Sequence, residues 1–273
     1  MPPTPLTQSQ RKALIDTSLA LLVQEQPEAQ RLLDILSASV PGRRRLALRA
    51  LLAMRPAIPL PPELSCSLER LLAAEAAERD TVDARDLPGT SLDPRLSLWG
   101  GDITTIRADA IVNAANSAML GCFQPLHACI DNAIHSAAGP GLRQECADIM
   151  AARGRPEPTG TATVTGGYHL PAARVIHTVG PIVQREPTTE HEALLASSYR
   201  SCLLAAEDVQ ASSIALCCIS TGVFGYPKTE AAVIAVRTVR EVLPHCQSLT
   251  KVVFNAFDPI DESIYRGLLG PDR

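Results

Sequence analysis

An α/β layered domain preceded by a helical segment is the fold class that this 273-residue sequence predicts. Two observations carry it. Up to about residue 80, apolar side chains recur at helical spacing, and proline-rich text breaks the runs. From residue 96 onward, short apolar runs alternate with longer helical stretches, as in strands joined by crossover helices. Composition agrees, because 46% hydrophobic and 20% charged residues exclude a disordered chain. At ~150 residues per domain the length suits one large domain or two small ones. The expected division is a helical extension and linker over 1–95 and an α/β domain over 96–273.

Each element has its own warrant. Thr7 with Gln10 makes a capping box, and Leu14, Ile15, Leu19, Leu22 and Val23 follow at helical spacing. A second helix is expected over Glu28–Ser39, ended by Pro41-Gly42, and a third over Arg43–Met54. Arg55 to Pro62 holds too many prolines to stay helical and reads as an extended connector. Glu63–Arg79 is the fourth helix, with Leu64, Leu68, Leu71 and Leu72 on one face. The leucine faces are expected to pack on the α/β domain. The basic cluster Arg43, Arg44, Arg45 and Arg49 reads as a solvated helix face. Residues 81–95 are polar and turn-rich and read as a linker. Strands are expected at Leu96–Trp99, Ala110–Val112, Thr161–Thr165, Arg174–Val179, Ser213–Ile219 and Lys251–Ala256. Helices are expected at Pro125–Ala138, Glu190–Val209, Thr229–Val242 and Ile260–Leu269.

Several function classes fall away. A net charge of −4 argues against non-specific nucleic-acid binding, and 3% aromatic residues argue against stacking platforms for single strands. No apolar run approaches the ~20 residues that span a bilayer. The proline-rich start lacks the basic-then-apolar order of a secretory signal. Eight cysteines at irregular spacing do not form a disulfide framework, so a reducing cytoplasm with some buried thiols is expected.

Ligands of α/β folds collect beyond the strand ends, and six motifs fall there. Gly100-Gly-Asp-Ile-Thr-Thr105 places Asp102 and Ile103 after a strand, where Asp102 either accepts from an exocyclic amine or caps a turn. Asn113-Ala-Ala-Asn116 follows the next strand and either holds a hydroxylated ligand or forms a turn. Cys122, His127 and Cys129 come within eight residues, and two thiolates with an imidazole suit Zn²⁺. Spacing alone leaves a pair of buried thiols and a surface histidine as the alternative. Asp131 follows, as a candidate orienting group or base, with His135 as a packed or capping residue. The loop Ser220, Thr221, Gly222, Val223, Phe224, Gly225, Tyr226 lies between a strand and a helix, and its amides suit a phosphate. It lacks the Lys-Ser/Thr of a P-loop, and Lys228 is the only nearby cation. Phe257, after the last strand, either stacks on a base or packs in the core.

Taken together and in this order, these motifs resemble the macrodomain family of ADP-ribose-binding proteins. The similar text is GDIT, DAIVNAAN, DNAIHSAAG, TGTATVTGGYHLPAARVIHTVGP and ISTGVFGYP, then a closing strand, over roughly 96–269. The resemblance implies a three-layer α/β/α fold with a mixed central sheet. The family's commonest pattern has a glycine-rich loop after NAAN. The replacement here, Leu120 to Asp131, resembles the zinc-containing subclass of ADP-ribosyl-protein hydrolases, as does the helical extension.

That resemblance implies Zn²⁺ on Cys122, His127 and Cys129. It places Asp102 and the Ile103 backbone at adenine, Phe257 nearby, and Ser220 to Tyr226 on the diphosphate. It places Asn116 at the distal ribose and makes Asp131 the counterpart of a catalytic aspartate, although Asn132 replaces the glycine that usually follows. The implied substrate is a mono-ADP-ribosylated protein, with ADP-ribose as product and a sirtuin-type ADP-ribosyltransferase as functional partner. No nucleic acid or membrane partner is expected. A non-catalytic ADP-ribose reader and an esterase acting on O-acyl-ADP-ribose are the alternatives.

Overall fold

A computed structural model describes residues 5–37 and 43–272. The expected end of the second helix at Ser39 and the break at Pro41-Gly42 lie outside the described residues. The chain opens with helices α1 (Gln8–Glu25), α2 (Ala29–Ser37), α3 (Arg43–Met54) and α4 (Pro62–Ala77). The capping box forms as expected: Gln10 N–H donates to the Thr7 hydroxyl and the Gln10 side chain accepts from Thr7 N–H.

Leucine faces decide where these helices go. Leu19, Leu48, Leu64, Leu68 and Leu71 close a hydrophobic core that belongs to the extension itself, rather than packing on the α/β domain as expected. The basic cluster also differs from the expected solvated face. Arg44 pairs with Asp16 on α1 and Arg45 pairs with Glu75 on α4, so the arginines bridge helices.

The α/β unit runs β1 (Val82–Asp83), β2 (Leu96–Gly100), β3 (Ile106–Arg107), β4 (Ala110–Ala114), α5 (Ile130–Ala138), α6 (Pro140–Arg153), β5 (Ala162–Gly166), β6 (Arg174–Thr178), α7 (Thr189–Asp208), β7 (Ser213–Leu216), α8 (Lys228–Val242), β8 (Lys251–Ala256) and α9 (Pro259–Leu269). Six strands make the main sheet in the order β2-β8-β7-β4-β6-β5, and β1 pairs with β3 separately. All neighbours in the main sheet are parallel except β5, which runs antiparallel to β6. The mixed sheet is therefore as expected. Helices α7, α8 and α9 pack side by side as one layer, and α5 and α6 pack together as another. Strands β4 and β7 are buried along nearly their whole length, as parallel strands covered on both faces must be.

Three local readings are corrected. The first concerns residues 81–95, expected as a linker. They are stitched into the α/β unit: β1 pairs with β3, Ala84 is fully buried in its core, and Ser91 N–H donates to Pro271 O. The second is the helix expected from Pro125. It starts only at Ile130, because Leu126 sits in the left-handed region (φ +59°) and the chain turns there. The third is α6, which the apolar spacing does not announce. It is bounded by Pro140 in its first turn and left-handed Gly154 after its last.

Polar contacts dock the extension on the α/β unit. Arg143 of α6 donates through one terminal nitrogen to the carbonyls of Leu52, Ala53 and Arg55, at 3.0, 2.9 and 2.7 Å. Arg79 reaches the Thr104 carbonyl, and His169 lies 3.3 Å from Glu69. Among the described residues, no helix is long and apolar enough to cross a membrane.

Candidate active site

The parallel register brings every motif to the carboxyl end of one sheet. Asp102 follows β2, Phe257 follows β8, the Ser220–Tyr226 loop follows β7, and Asn113–Asn116 closes β4. With strands about 4.8 Å apart, the line from β2 to β4 is about 14 Å long.

At the β4 end, Cys122, His127 and Cys129 gather with their donor atoms all within 4.8 Å of one another. Cys122 Sγ lies 3.5 Å from His127 Nδ1. His127 and Cys129 would diverge by about 200° on a regular helix. They converge because residues 122–129 form a loop and Cys129 caps α5, its sulfur accepting from Asn132 N–H. The Asn132 side chain then ties the loop down, donating to the carbonyls of Gln124 (3.0 Å) and His127 (3.1 Å). Gly121 is required at its position. Its φ is +79°, and a Cβ there would meet the His135 ring at 3.0 Å. Two soft thiols and an imidazole leave a fourth position open, which fits zinc. Burial, together with the neighbouring Cys122 and Asp131, pushes the Cys129 thiol up to about 11, although Asn132 N–H opposes it. A divalent cation would supply the charge that deprotonates it.

Asp131 lies beneath this loop and is only 5% exposed. One carboxylate oxygen accepts from the Asn113 side chain at 2.8 Å, the other from Asn116 at 3.2 Å. Burial pushes its carboxyl up to about 6, while the two amides and the Arg143 charge pull the other way. Asn116 also donates to Gly121 O and accepts from Ala118 N–H, so much of its amide is engaged within the loop. His135 is packed, as expected. Its ring lies 6.0 Å from that of His177, and burial holds it neutral.

Sequence reasoning missed three residues here. Asn113 belongs to the Asn113-Ala-Ala-Asn116 motif, but its grip on Asp131 depends on tertiary contact. His177 receives the Asn113 amide at 3.1 Å. Arg143 stacks 4.6 Å above the ring of Phe123, which follows Cys122 in the loop. No short-range pattern marks any of the three.

The second loop is shaped by backbone. Ser220 (φ +67°) and Gly225 (φ +72°) are left-handed. Tyr226 N–H returns to Ser220 O and Gly225 N–H to Gly222 O, both at 3.0 Å, while Val183 N–H donates to Phe224 O. Among the described residues, the amides of Thr221, Gly222, Val223 and Phe224 donate to no protein acceptor, which suits an anion. Val223 is 77% exposed above them. Lys228 does not join this cradle, because Asp258 and Asp261 hold its ammonium at 2.9 Å each. At the β2 and β8 ends, Asp102 does cap a turn through Thr104 N–H, yet it is exposed and keeps further acceptor capacity. Ile103 is buried behind it. Phe257 is 80% exposed, so the core-packing alternative is excluded.

A Macro domain family model matches residues 112–235. A Staphylococcus aureus protein named protein-ADP-ribose hydrolase is 45% identical over 225 residues, 82% of this chain and 84% of that protein. This chain belongs to the macro domain family. The match is longer than the α/β unit, so it includes part of the helical extension. A Treponema medium protein of the same name is 54% identical over 172 residues, 63% of this chain and 66% of that protein. Among solved structures, this macro domain resembles the Trypanosoma brucei macrodomain in complex with ADP-ribose. The TM-score is 0.61 at 30% identity, covering 90% of this chain and 96% of that one. It also resembles an Oceanobacillus iheyensis macrodomain with ADP, at TM-score 0.57 and 40% identity, covering 63% and 88%.

Proposed function

We propose that this macro domain hydrolyses the bond between mono-ADP-ribose and a modified protein carboxylate, with Zn²⁺ held by Cys122, His127 and Cys129. The observation that carries the reading is the shared sheet end. It sets a three-donor metal loop and a buried aspartate beside a loop with four unengaged amides. Support comes from the relatives named protein-ADP-ribose hydrolase and from the Trypanosoma brucei macrodomain in complex with ADP-ribose.

In this reading Asp102 accepts from the adenine amine, with the Ile103 backbone alongside and Phe257 over the base. The amides of the Ser220–Tyr226 loop hold the diphosphate. The distal ribose then reaches Asn116 and Asp131. Held by Asn113 and Asn116, the Asp131 carboxylate has a fixed direction and orients a ribose hydroxyl or the attacking water. Water adds at C1″ or at the ester carbonyl, the bond between ribose and the acceptor breaks, and ADP-ribose and a free carboxylate result. Bound zinc would supply Lewis acidity and lower the pKa of a coordinated water towards ~7. The setting is the cytoplasm, where free thiols persist, and a sirtuin-type ADP-ribosyltransferase would supply the modified protein.

The test measures zinc and turnover on one purified sample. We expect about one zinc per chain, the stoichiometry of a three-ligand site with an open position. We also expect chelator-sensitive release of ADP-ribose from a protein mono-ADP-ribosylated on acidic residues. Full turnover by zinc-free protein would overturn the metal's role. Tight ADP-ribose binding without release would favour a reader. Release from O-acyl-ADP-ribose alone would favour an esterase.

A further inference from the structure

A cavity of about 320 Å³ lies on the seam between the helical extension and the α5–α6 layer. Arg45, Arg49, Arg55 and Arg143 line it, together with His135, and among the described residues no carboxylate does. Two of these charges are already answered from outside the cavity. Arg45 forks onto Glu75 at 2.7 Å, and Arg55 forks onto Glu25 at 2.6 and 2.7 Å. The other two have no ion pair among the described residues, although the Arg143 charge also acts on buried Asp131, which does not line the cavity. Arg143 is only 7% exposed, and its hydrogen bonds go to neutral carbonyls through one terminal nitrogen. Arg49 has no hydrogen-bond or ion-pair partner among the described residues. The Nε atoms of Arg49 and Arg143 are both buried without an acceptor.

Buried donors without acceptors are costly, and cationic ones more so. Two such guanidiniums on one cavity wall match a dianion, whose oxygens accept from several N–H groups at once. At ~30 Å³ per water the space holds roughly ten waters. That suffices for a phosphate with a small body. We propose that this cavity binds a small phosphate-bearing molecule between Arg49 and Arg143, at a site separate from the Ser220–Tyr226 loop. Because both the connector and α6 line the cavity, the ligand cross-links the extension to the α/β unit and raises thermal stability.

Inorganic phosphate is the probe, titrated into the full zinc-loaded chain with ADP-ribose saturating and ionic strength held with chloride. ADP-ribose occupies the other anion loop, so the remaining response reports the seam. The expected result is a saturable rise in Tm, on the order of 3 °C at tenfold excess over Kd. It is accompanied by shifts of the arginine Nε–H resonances. Arg49→Gln should abolish both responses without changing ADP-ribose affinity. Ser65, an exposed residue at the cavity wall, provides a second variant: Ser65→Glu sets a carboxylate there and should weaken phosphate at least about tenfold. No saturable rise in the parent chain, or an equal rise in both variants, would overturn the site.

Discussion

Two loops at the same end of the sheet are built by opposite means. The loop after β4 that carries the candidate metal ligands is shaped by side chains: Asn116 holds Gly121 O, Asn132 holds Gln124 O and His127 O, and the Cys129 sulfur caps α5. The loop after β7 is shaped by its own backbone, with left-handed Ser220 and Gly225 and main-chain bonds that close it on itself. The difference matches what each is proposed to present. A metal needs particular sulfur and nitrogen atoms, so residue identity is the device. An anion needs converging N–H groups, which any residue supplies if the backbone takes the right path.

Mutations that separate the two should therefore have separable readouts. The largest effect is expected from Cys122→Ala, which removes one of the three proposed metal donors. Zinc content should vanish and hydrolysis fall at least about hundredfold, while calorimetry finds ADP-ribose affinity nearly unchanged. Asn132→Ala comes next. It removes both side-chain ties on the metal loop, so zinc affinity, measured by competition with a chelator, should fall about 10- to 100-fold. Gly225→Ala acts on the other loop. Its Cβ would lie 2.6 Å from Val183 O at a left-handed φ. A strain of about 1–2 kcal/mol should weaken ADP-ribose about tenfold and leave zinc content intact. Gly222→Ala is the smallest perturbation to the fold. A Cβ there meets nothing within 4 Å, so Tm should move by less than about 2 °C. If Gly225→Ala released zinc, or Cys122→Ala abolished ADP-ribose binding, the two loops would not be independent devices.

The same contrast explains what the sequence discloses. The gathering of Cys122, His127 and Cys129 is legible because the three residue types fall within eight residues of one another. The amide loop is legible through Gly222 and Gly225, although left-handed Ser220 is not, since serine marks no such backbone. The start of α5 is misread because Pro125 signals a helix that Leu126 interrupts, and only the Cys129 cap begins it. The linker reading of 81–95 follows polar, turn-rich text, while the burial of Ala84 there depends on distant strands. Arg143 is the extreme case. Its hydrogen-bond acceptors lie 88 to 91 residues away and are all backbone carbonyls, so no local pattern could announce them.

That grip has a consequence for substitution and for insertion. Carbonyl oxygens look alike whatever residue bears them. The segment from Leu52 to Arg55 can therefore drift in composition without loosening its hold on Arg143. A single inserted or deleted residue, by contrast, would carry the carbonyls out of reach. Length, more than identity, is what the grip on Arg143 constrains at this junction.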